Sequence, residues 1–473
     1  MPSVSEPFLP LAMLFERIPP DREALIHGEE RWTFGQLDAR SSDLACWLVS
    51  QGVVADDLVA FALPNGPEFL ALTFAIYRAG ATPAPLSPKL PEAECEAILA
   101  TMQPRCMVDA NALHGAQTAV ATLPQPHIAA SWKACTSGGS TGRPKVIVDG
   151  RPAGFPAGTD FIAIPENSRV LVPGPLYHNA PFSAAVFALW RGNAVVTVPR
   201  FDATEALALI AGERLEWALM VPTMMHRIMA LPPITTDLTC WKTVVHTAAP
   251  MAAWLKHDWI ARFSPDHVWE VYGATEGLVR CWIGGREWLE RPGSVGRPLG
   301  GARLRITGLD GAEVPVGEVG EIYAMAASGP RTTYRYIGAE RRIDADGWES
   351  VGDMGRIDAE GYLFLADRKD DLIISGGVNV WPAEVEAALL AHPAIASCAV
   401  HGLPHADLGQ AVHAVIESAE PLQLVEIGAF LSSRLARAKH PRSITLTTAP
   451  VRDDAGKFRK PRSIGQANPE ETA

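Results

Sequence analysis

Apolar and polar residues follow two rhythms along this chain, and the order in which they alternate predicts its architecture. Ala24-Leu25-Ile26 is a short apolar run before a turn at Gly28, and Trp32-Thr33-Phe34 follows it. Leu37, Leu44 and Leu48 then recur at helical spacing, with Thr33 placed to cap that helix. Residues 57–63 read as a strand, stopped by Pro64-Asn65-Gly66-Pro67, and a helix is expected over 68–79 with Gly80 closing it. Ala84-Pro85-Leu86 begins another strand-to-helix unit whose helix lies near 92–101. A second alternating set follows: strands at 169–172, 194–198, 217–221, 242–246 and 268–272, with helices over 181–190 and from Pro222. Strands alternating with helices predict α/β layers, with mostly parallel sheets covered by helices.

The rhythm changes twice more. Across 292–366, runs such as Arg303-Leu304-Arg305-Ile306 and Gly320-Glu321-Ile322-Tyr323 lie between glycine- and proline-rich turns, which suggests small antiparallel sheets or a β-barrel. A charged, glycine-ended stretch over 367–377 follows. After it comes a compact α+β pattern: helix 383–391, strands 397–400 and 411–416, helix 424–435 and strand 443–446. The expected organisation is a large N-terminal domain over 1–367, made of two αβ subdomains and a small β-barrel. A hinge at 368–370 and a small mobile C-terminal domain over 371–473 complete it.

A length of 473 residues fits more than one core. Hydrophobic residues at 48% and charged ones at 20% describe a globular protein, and a formal charge of −12 argues against a general nucleic-acid surface. No apolar run is long enough to span a membrane, and no basic stretch precedes an apolar core near the start. The seven cysteines are odd in number and form no Cys-x-x-Cys pair, so mostly buried, reduced thiols and a cytoplasmic setting are expected. Cys135, beside the most glycine-rich motif, reads as a packing residue.

That motif is Thr136-Ser137-Gly138-Gly139-Ser140-Thr141-Gly142-Arg143-Pro144-Lys145, followed by Val146-Ile147-Val148. Glycines let the backbone approach a ligand, successive N–H groups form an anion-holding concavity, and hydroxyls and a lysine add donors. A phosphate-binding loop beside a strand fits this composition, although the spacing differs from the common P-loop. Further along, Tyr272-Gly273-Ala274-Thr275-Glu276-Gly277 ends an expected strand, where ligands bind in open α/β sheets. Gly352-Asp353, Asp367-Arg368-Lys369-Asp370 and Gly456-Lys457 complete the set. Taken singly, each of these reads as an ordinary turn or solvated charge.

Their order resembles the adenylate-forming superfamily of acyl-CoA synthetases, luciferases and nonribosomal adenylation domains, over about residues 20 to 463. Pro175-Leu176-Tyr177-His178-Asn179, Trp254-Leu255-Lys256, Trp259-Ile260 and Arg286-Glu287-Trp288 are similar to the bacterial branch holding bile-acid and related CoA ligases. The resemblance implies an AMP-forming acid–thiol ligase using ATP, Mg²⁺ and CoA. Thr136, Ser137, Gly138, Gly139, Ser140, Thr141, Gly142 and Lys145 would hold the β- and γ-phosphates. Thr275 would contact the α-phosphate and Glu276 would hold Mg²⁺. Ala248, Ala249, Pro250, Tyr272 and Gly273 would wall the adenine, Ala274 would also belong to the nucleotide site, and Asp353 and Arg368 would reach the ribose. Lys457 would bridge the acid's carboxylate and the α-phosphate. Asp370 would be the hinge, and Ser375, Gly376 and Gly377 would line the thiol tunnel. Val351 departs from the family, which often has threonine before Gly-Asp.

The acid would lie along His178, Asn179 and Phe182, with Met224, Met225 and Ala248 opposite. No Asp or Glu occurs from Arg169 to Phe201, whereas an α-amino acid needs an anion for its ammonium group. An aryl, alicyclic or fatty acid is therefore expected. The adenylation motifs leave the acceptor open: CoA, an amine in an amide synthetase, or a carrier protein. They also leave open the oligomeric state, a homodimer included. A non-catalytic nucleotide-binding protein is disfavoured because Lys145, Glu276, Asp353 and Lys457 are all present.

Overall fold

The computed structural model describes residues 6–116, 126–138, 144–160, 162–308, 310–368, 371–453, 456 and 458. The chain divides into two compact units, Met1–Asp370 and Asp371–Ala473.

The first unit begins as its local chemistry dictates. Thr33 caps the helix Phe34–Ser50: its hydroxyl accepts from Gln36 N at 3.2 Å, and the Gln36 side chain accepts from Thr33 N at 2.8 Å. Two otherwise unpaired donors are thereby satisfied. Strands Glu23–His27 and Glu30–Thr33 form a hairpin turned at Gly28, where φ is +61° and glycine carries no Cβ penalty.

A nine-stranded sheet dominates this unit. Its central strands are parallel and run in the order Glu23–His27, Ala194–Thr197, Arg169–Leu171, Trp217–Met220, Thr243–His246 and Val268–Gly273. Antiparallel strands Glu30–Thr33, Arg280–Gly284 and Arg297–Pro298 lie at its margins. Alternate residues of the central strands enter different cores. Val170, Trp217 and Val245 join the cluster containing helix Asn179–Trp190, whereas Leu171, Ala218 and Val244 join the one holding Met224 and Trp259. Both faces are covered, which explains continuous apolar runs where a half-exposed strand would alternate.

A smaller parallel sheet has Leu58–Ala62 between Thr82–Pro85 and Cys106–Asp109. The antiparallel part consists of two sheets. Strands Ala134–Gly138 and Pro144–Asp149 form a hairpin extended by Tyr334–Ile337. Arg303–Thr307, Gly320–Met325, Arg342–Ile343, Glu349–Ile357 and Leu363–Arg368 form the other. Ile147 and Tyr334 from the first share a core with Ile306, Ile322 and Leu363 from the second. Val351 packs against that core, so the departure from threonine is filled by apolar contact.

The second unit has its own core of residues such as Ile373, Val385, Val400, Ala414 and Leu431. Its sheet places Gly409–Glu417 between Ser397–His405 and the parallel strand Ser443–Thr447, with hairpin Ile373–Ser375/Val378–Val380 beyond. Helices Pro382–Leu389 and Leu424–Leu431 pack with it. The latter stops earlier than the expected 424–435. Ser432 Oγ donates to Ala429 O at 2.6 Å, so a side chain competes for the terminal carbonyls. The thiols also differ from expectation: all seven are free, but only Cys135, Cys281 and Cys398 are buried. The other four are partly covered.

Candidate active site

The strands on either side of the glycine-rich motif pair as a hairpin. Thr136, Ser137 and Gly138 belong to strand Ala134–Gly138, Lys145 belongs to Pro144–Asp149, and Ser137 is in register with Lys145. Gly139, Ser140, Thr141, Gly142 and Arg143 lie outside the described residues. Strand pairing therefore fixes Lys145 rather than leaving it on a loop.

Lys145 meets Glu276, 131 positions away in the chain, at 3.3 Å. Glu276 is only 5% exposed, so its charge depends on such partners. Tyr336 completes the group: its hydroxyl donates to Glu276 Oε1 at 2.5 Å and accepts from Lys145 Nζ at 3.1 Å. The Lys145 ammonium also stands 4.4 Å from the Tyr336 ring centroid. Burial, then the charge and hydrogen bond of Glu276, hold the Tyr336 proton far above the usual phenol range. Sequence reasoning missed Tyr336. The alternation Tyr334-Arg335-Tyr336-Ile337 announces a strand, but only its pairing with Val146–Asp149 reveals its neighbour.

A second group adjoins through the chain segment 272–276. Tyr272 OH donates to Asp353 Oδ2 at 2.7 Å, and Arg368 Nε lies 3.4 Å from Asp353 Oδ1. Cross-strand register brings the latter two together, since Asp353 faces Arg368. Burial, then Asp353, pushes the Tyr272 phenol well above its ordinary value, so it remains a donor. Gly273, Ala274 and Thr275 continue from this strand, and Gly277 N closes a turn on Ala274 O at 3.0 Å. Ala248, with Ala249 and Pro250, follows strand Thr243–His246. Ala248 has φ +76°, a left-handed conformation costly for a residue with a Cβ.

The residues expected to hold the acid are split. His178 is the N-cap residue of helix Asn179–Trp190, half-buried, with its ring centroid 4.6 Å from that of Tyr177. Asn179 accepts from Lys133 and is half-buried. Phe182 instead lies wholly in the core, 6.3 Å from Phe69 and 6.1 Å from Trp132 between ring centroids. Met224 and Met225 are packed in the core on the sheet's other face. Those three side chains are packed because their helices are apolar on the face that covers the sheet.

In the second unit, Gly376 and Gly377 form a two-residue hairpin turn after Ser375, with φ +58° and +81°. Two successive left-handed positions favour glycine, which carries no Cβ penalty. Asp370 and Lys457 lie outside the described residues. Arg452 donates to Gly456 O at 3.0 Å and Cys398 O at 2.9 Å and pairs with Glu386 at 2.6 Å. The Phe458 ring stacks on His401 at 5.7 Å. Arg452 carried no sequence signal beyond its nearness to Gly-Lys.

Among the described residues, no group of three His, Cys, Asp or Glu side chains could cage a metal. One buried carboxylate, Glu276, beside a phosphate-binding motif instead suits Mg²⁺ arriving with nucleotide phosphates, because Mg²⁺ takes few protein ligands there. No helix among the described residues is long and apolar enough to cross a membrane.

The pattern describing AMP-binding enzymes matches residues 15–134 and 133–336, and that of the AMP-binding enzyme C-terminal domain matches 384–457. A feruloyl-CoA synthase from Amycolatopsis sp is 32% identical, with 94% of this chain and 96% of that protein covered. A 2-succinylbenzoate–CoA ligase from Bacillus licheniformis is 31% identical, with 90% and 92% covered. The structure of O-succinylbenzoate coenzyme A synthetase from Bacillus subtilis, in complex with ATP and magnesium ion, is similar with a TM-score of 0.80 and 25% identity. That likeness covers 96% of this chain and 98% of the other.

Proposed function

From the premise that this chain belongs to the AMP-binding enzyme family, we propose that it activates a hydrophobic aryl, alicyclic or fatty acid and joins it to CoA. The coarser activity is that of an AMP-forming carboxylate–CoA ligase using ATP, Mg²⁺ and CoA. In the first half-reaction a carboxylate oxygen attacks the α-phosphorus and pyrophosphate leaves. In the second, the CoA thiol displaces AMP from the acyl-adenylate.

The observation that carries the residue assignments is the meeting of Lys145, Glu276 and Tyr336 beside the Tyr272–Asp353–Arg368 group. Attack by one anion on another requires positioning and charge neutralisation. Lys145 neutralises Glu276 in the unliganded arrangement and transfers its donors to departing phosphate oxygens when nucleotide enters. Glu276, released, would hold Mg²⁺, which would supply charge neutralisation at the phosphates. Thr275 donates to the α-phosphate. Asp353 accepts from the ribose hydroxyls, with Tyr272 fixing its carboxylate and Arg368 reaching the same sugar. Lys457 belongs to the second unit and serves adenylation alone. His178 stands at the mouth of the acid pocket.

The substrate class rests on the acid-free stretch 169–201 and the apolar helix Asn179–Trp190 within it. A pyrophosphate-release screen over aryl, alicyclic, steroid and fatty acids, with and without CoA, tests it. Release with a hydrophobic acid and stoichiometric CoA consumption is expected. An amide product without CoA consumption overturns the acceptor, and activity confined to amino acids overturns the substrate class.

A further inference from the structure

The strand leading into the phosphate loop begins beside a charge that none of these roles uses. Lys133 is 4% exposed, immediately before Ala134–Gly138. Its ammonium donates to Asn179 Oδ1 and, at 2.8 Å, to Ser183 Oγ. Both acceptors are neutral, and both belong to the helix Asn179–Trp190. Cys135, two positions along the strand, places its Sγ 3.9 Å from the same Asn179 oxygen. Asp149 acts on the ammonium through space, but its carboxylate is engaged by Arg151 at 2.8 Å. The first turn of the helix adds positive potential at the same place. Burial accordingly pulls Lys133 below the usual lysine range. A buried ammonium held only by neutral groups, the two oxygens and the Trp132 ring 4.3 Å away, is costly, and a strong acceptor brought by a ligand would relieve it.

Its place in the hairpin indicates which part of a ligand that acceptor belongs to. Ser137 is in register with Lys145, and Asp149 N donates to Lys133 O, so Lys133 and Lys145 stand four steps apart. At the usual strand rise this is about 13 Å. Lys145 and Glu276 mark the phosphate end of the site, where the reacting carboxylate must lie. An oxygen meeting Lys133 belongs to the body of the acid. Asn179, the first residue of the helix, is half-buried where Lys133 and Ser183 are buried.

We propose that Lys133, with Asn179 and Ser183, is a subsite for a second oxygen acceptor on the acid, remote from the carboxyl that reacts. The acceptor is a phenolic or keto-type oxygen or a second carboxylate. This deepens, and rests on, the reading of 178–183 as the mouth of the acid pocket. The pocket is then apolar with one polar point, which selects a functionalised hydrophobic acid over its plain counterpart.

The test uses matched pairs in the pyrophosphate-release assay: a para-hydroxylated aryl acid against the unsubstituted one, and a dicarboxylic acid against a monocarboxylic acid of equal length. For at least one pair, the kcat/KM of wild type should favour the acceptor-bearing acid by about 10- to 100-fold, the range for a hydrogen bond to a charged group. Lys133→Met should bring that ratio close to one. Asn179→Asp, nearly isosteric, gives the ammonium a carboxylate from within and should also abolish the preference. It keeps the test decisive if Lys133→Met fails to fold. A wild-type ratio near one in both pairs, or a preference retained in folded variants with native melting temperatures, overturns the subsite. If plain acids are converted to CoA thioesters while the ratio stays at one, the subsite alone falls. If no acid of any class releases pyrophosphate, the pocket reading falls with it.

Discussion

Tyr336 is one hydroxyl between two opposite charges, donating to Glu276 and accepting from Lys145. Without it, Glu276 loses a short bond in a nearly dry setting, and Lys145 loses both an oxygen and part of its hold. Tyr336→Phe should therefore slow pyrophosphate release by about 10- to 100-fold, since bonds to charged groups are worth about 1.5–3 kcal/mol. Thioester formation from supplied acyl-adenylate should fall much less, because the pyrophosphate end is then not used. Equal loss in both half-reactions contradicts the assignment. The residue-scale lesson is specific. Lys145, Glu276 and Asp353 were legible because each sits in a motif whose order is informative. Tyr336 and Lys133 were not, because their meaning comes from pairing partners far along the chain. Lys133 lies outside every motif, and in the fold it is buried against helix Asn179–Trp190.

At the scale of elements, the ends of strands Thr243–His246 and Val268–Gly273 rest on buried ionisable groups. Lys256, on helix Ala253–Arg262, pairs at 2.5 Å with Glu270 on strand Val268–Gly273, and His246 ends the neighbouring strand 3.6 Å from the same carboxylate. Burial alone would raise the Glu270 carboxyl, but Lys256 and His246 outweigh it and hold it below the usual range. Burial lowers His246 to about 4, and lowers His267 to about 4 as well. Trp259 Nε1 donates to His267 Nδ1 at 3.3 Å, which favours the neutral ring. Above pH 6.5 both histidines are neutral folded or unfolded, and neither affects stability. As pH falls from 6.5 towards 4, the unfolded chain gains protons that the native one refuses, so stability falls. Below 4 both states are protonated and the loss levels off. Between pH 7 and 5 the loss should be about 2 kcal/mol per histidine, read from urea unfolding curves. His267→Gln should flatten part of that slope; an unchanged slope in both unfolding and the variant would refute the account. Element positions themselves were largely readable from periodicity, as in Pro67–Arg78 and Glu92–Met102. Sheet membership was not. Glu23–His27 joins the large sheet beside Ala194–Thr197, more than 160 residues on, because apolar strands buried on both faces carry no mark of their neighbours.

At the scale of the whole molecule, the proposed residue roles fall on two units that each have a core of their own. Lys145, Glu276 and Asp353 belong to the first, while Lys457 and the Ser375-Gly376-Gly377 turn belong to the second. The two half-reactions make different demands: adenylation needs a cation at the α-phosphate, and thioester formation needs a path for a pantetheine thiol. One unit that presents Lys457 and then the glycine turn would meet both, and the chain between the units must permit the change. Asp370, outside the described residues, stands at the division. Proline there would fix φ near −65° and restrict Lys369 before it, removing the rotation without touching either core. Asp370→Pro should therefore retain one half-reaction while overall CoA-thioester turnover falls at least about 10-fold, the effect of a barrier raised by about 1.4 kcal/mol. Lys457→Ala supplies the contrast, losing pyrophosphate release while still converting supplied acyl-adenylate with CoA. Measured side by side, the proline variant should keep a half-reaction that depends on which arrangement it freezes, whereas the alanine variant always loses the first. Wild-type overall turnover in Asp370→Pro would remove the hinge. Equal loss of both half-reactions in Lys457→Ala would remove the division of labour on which the hinge depends.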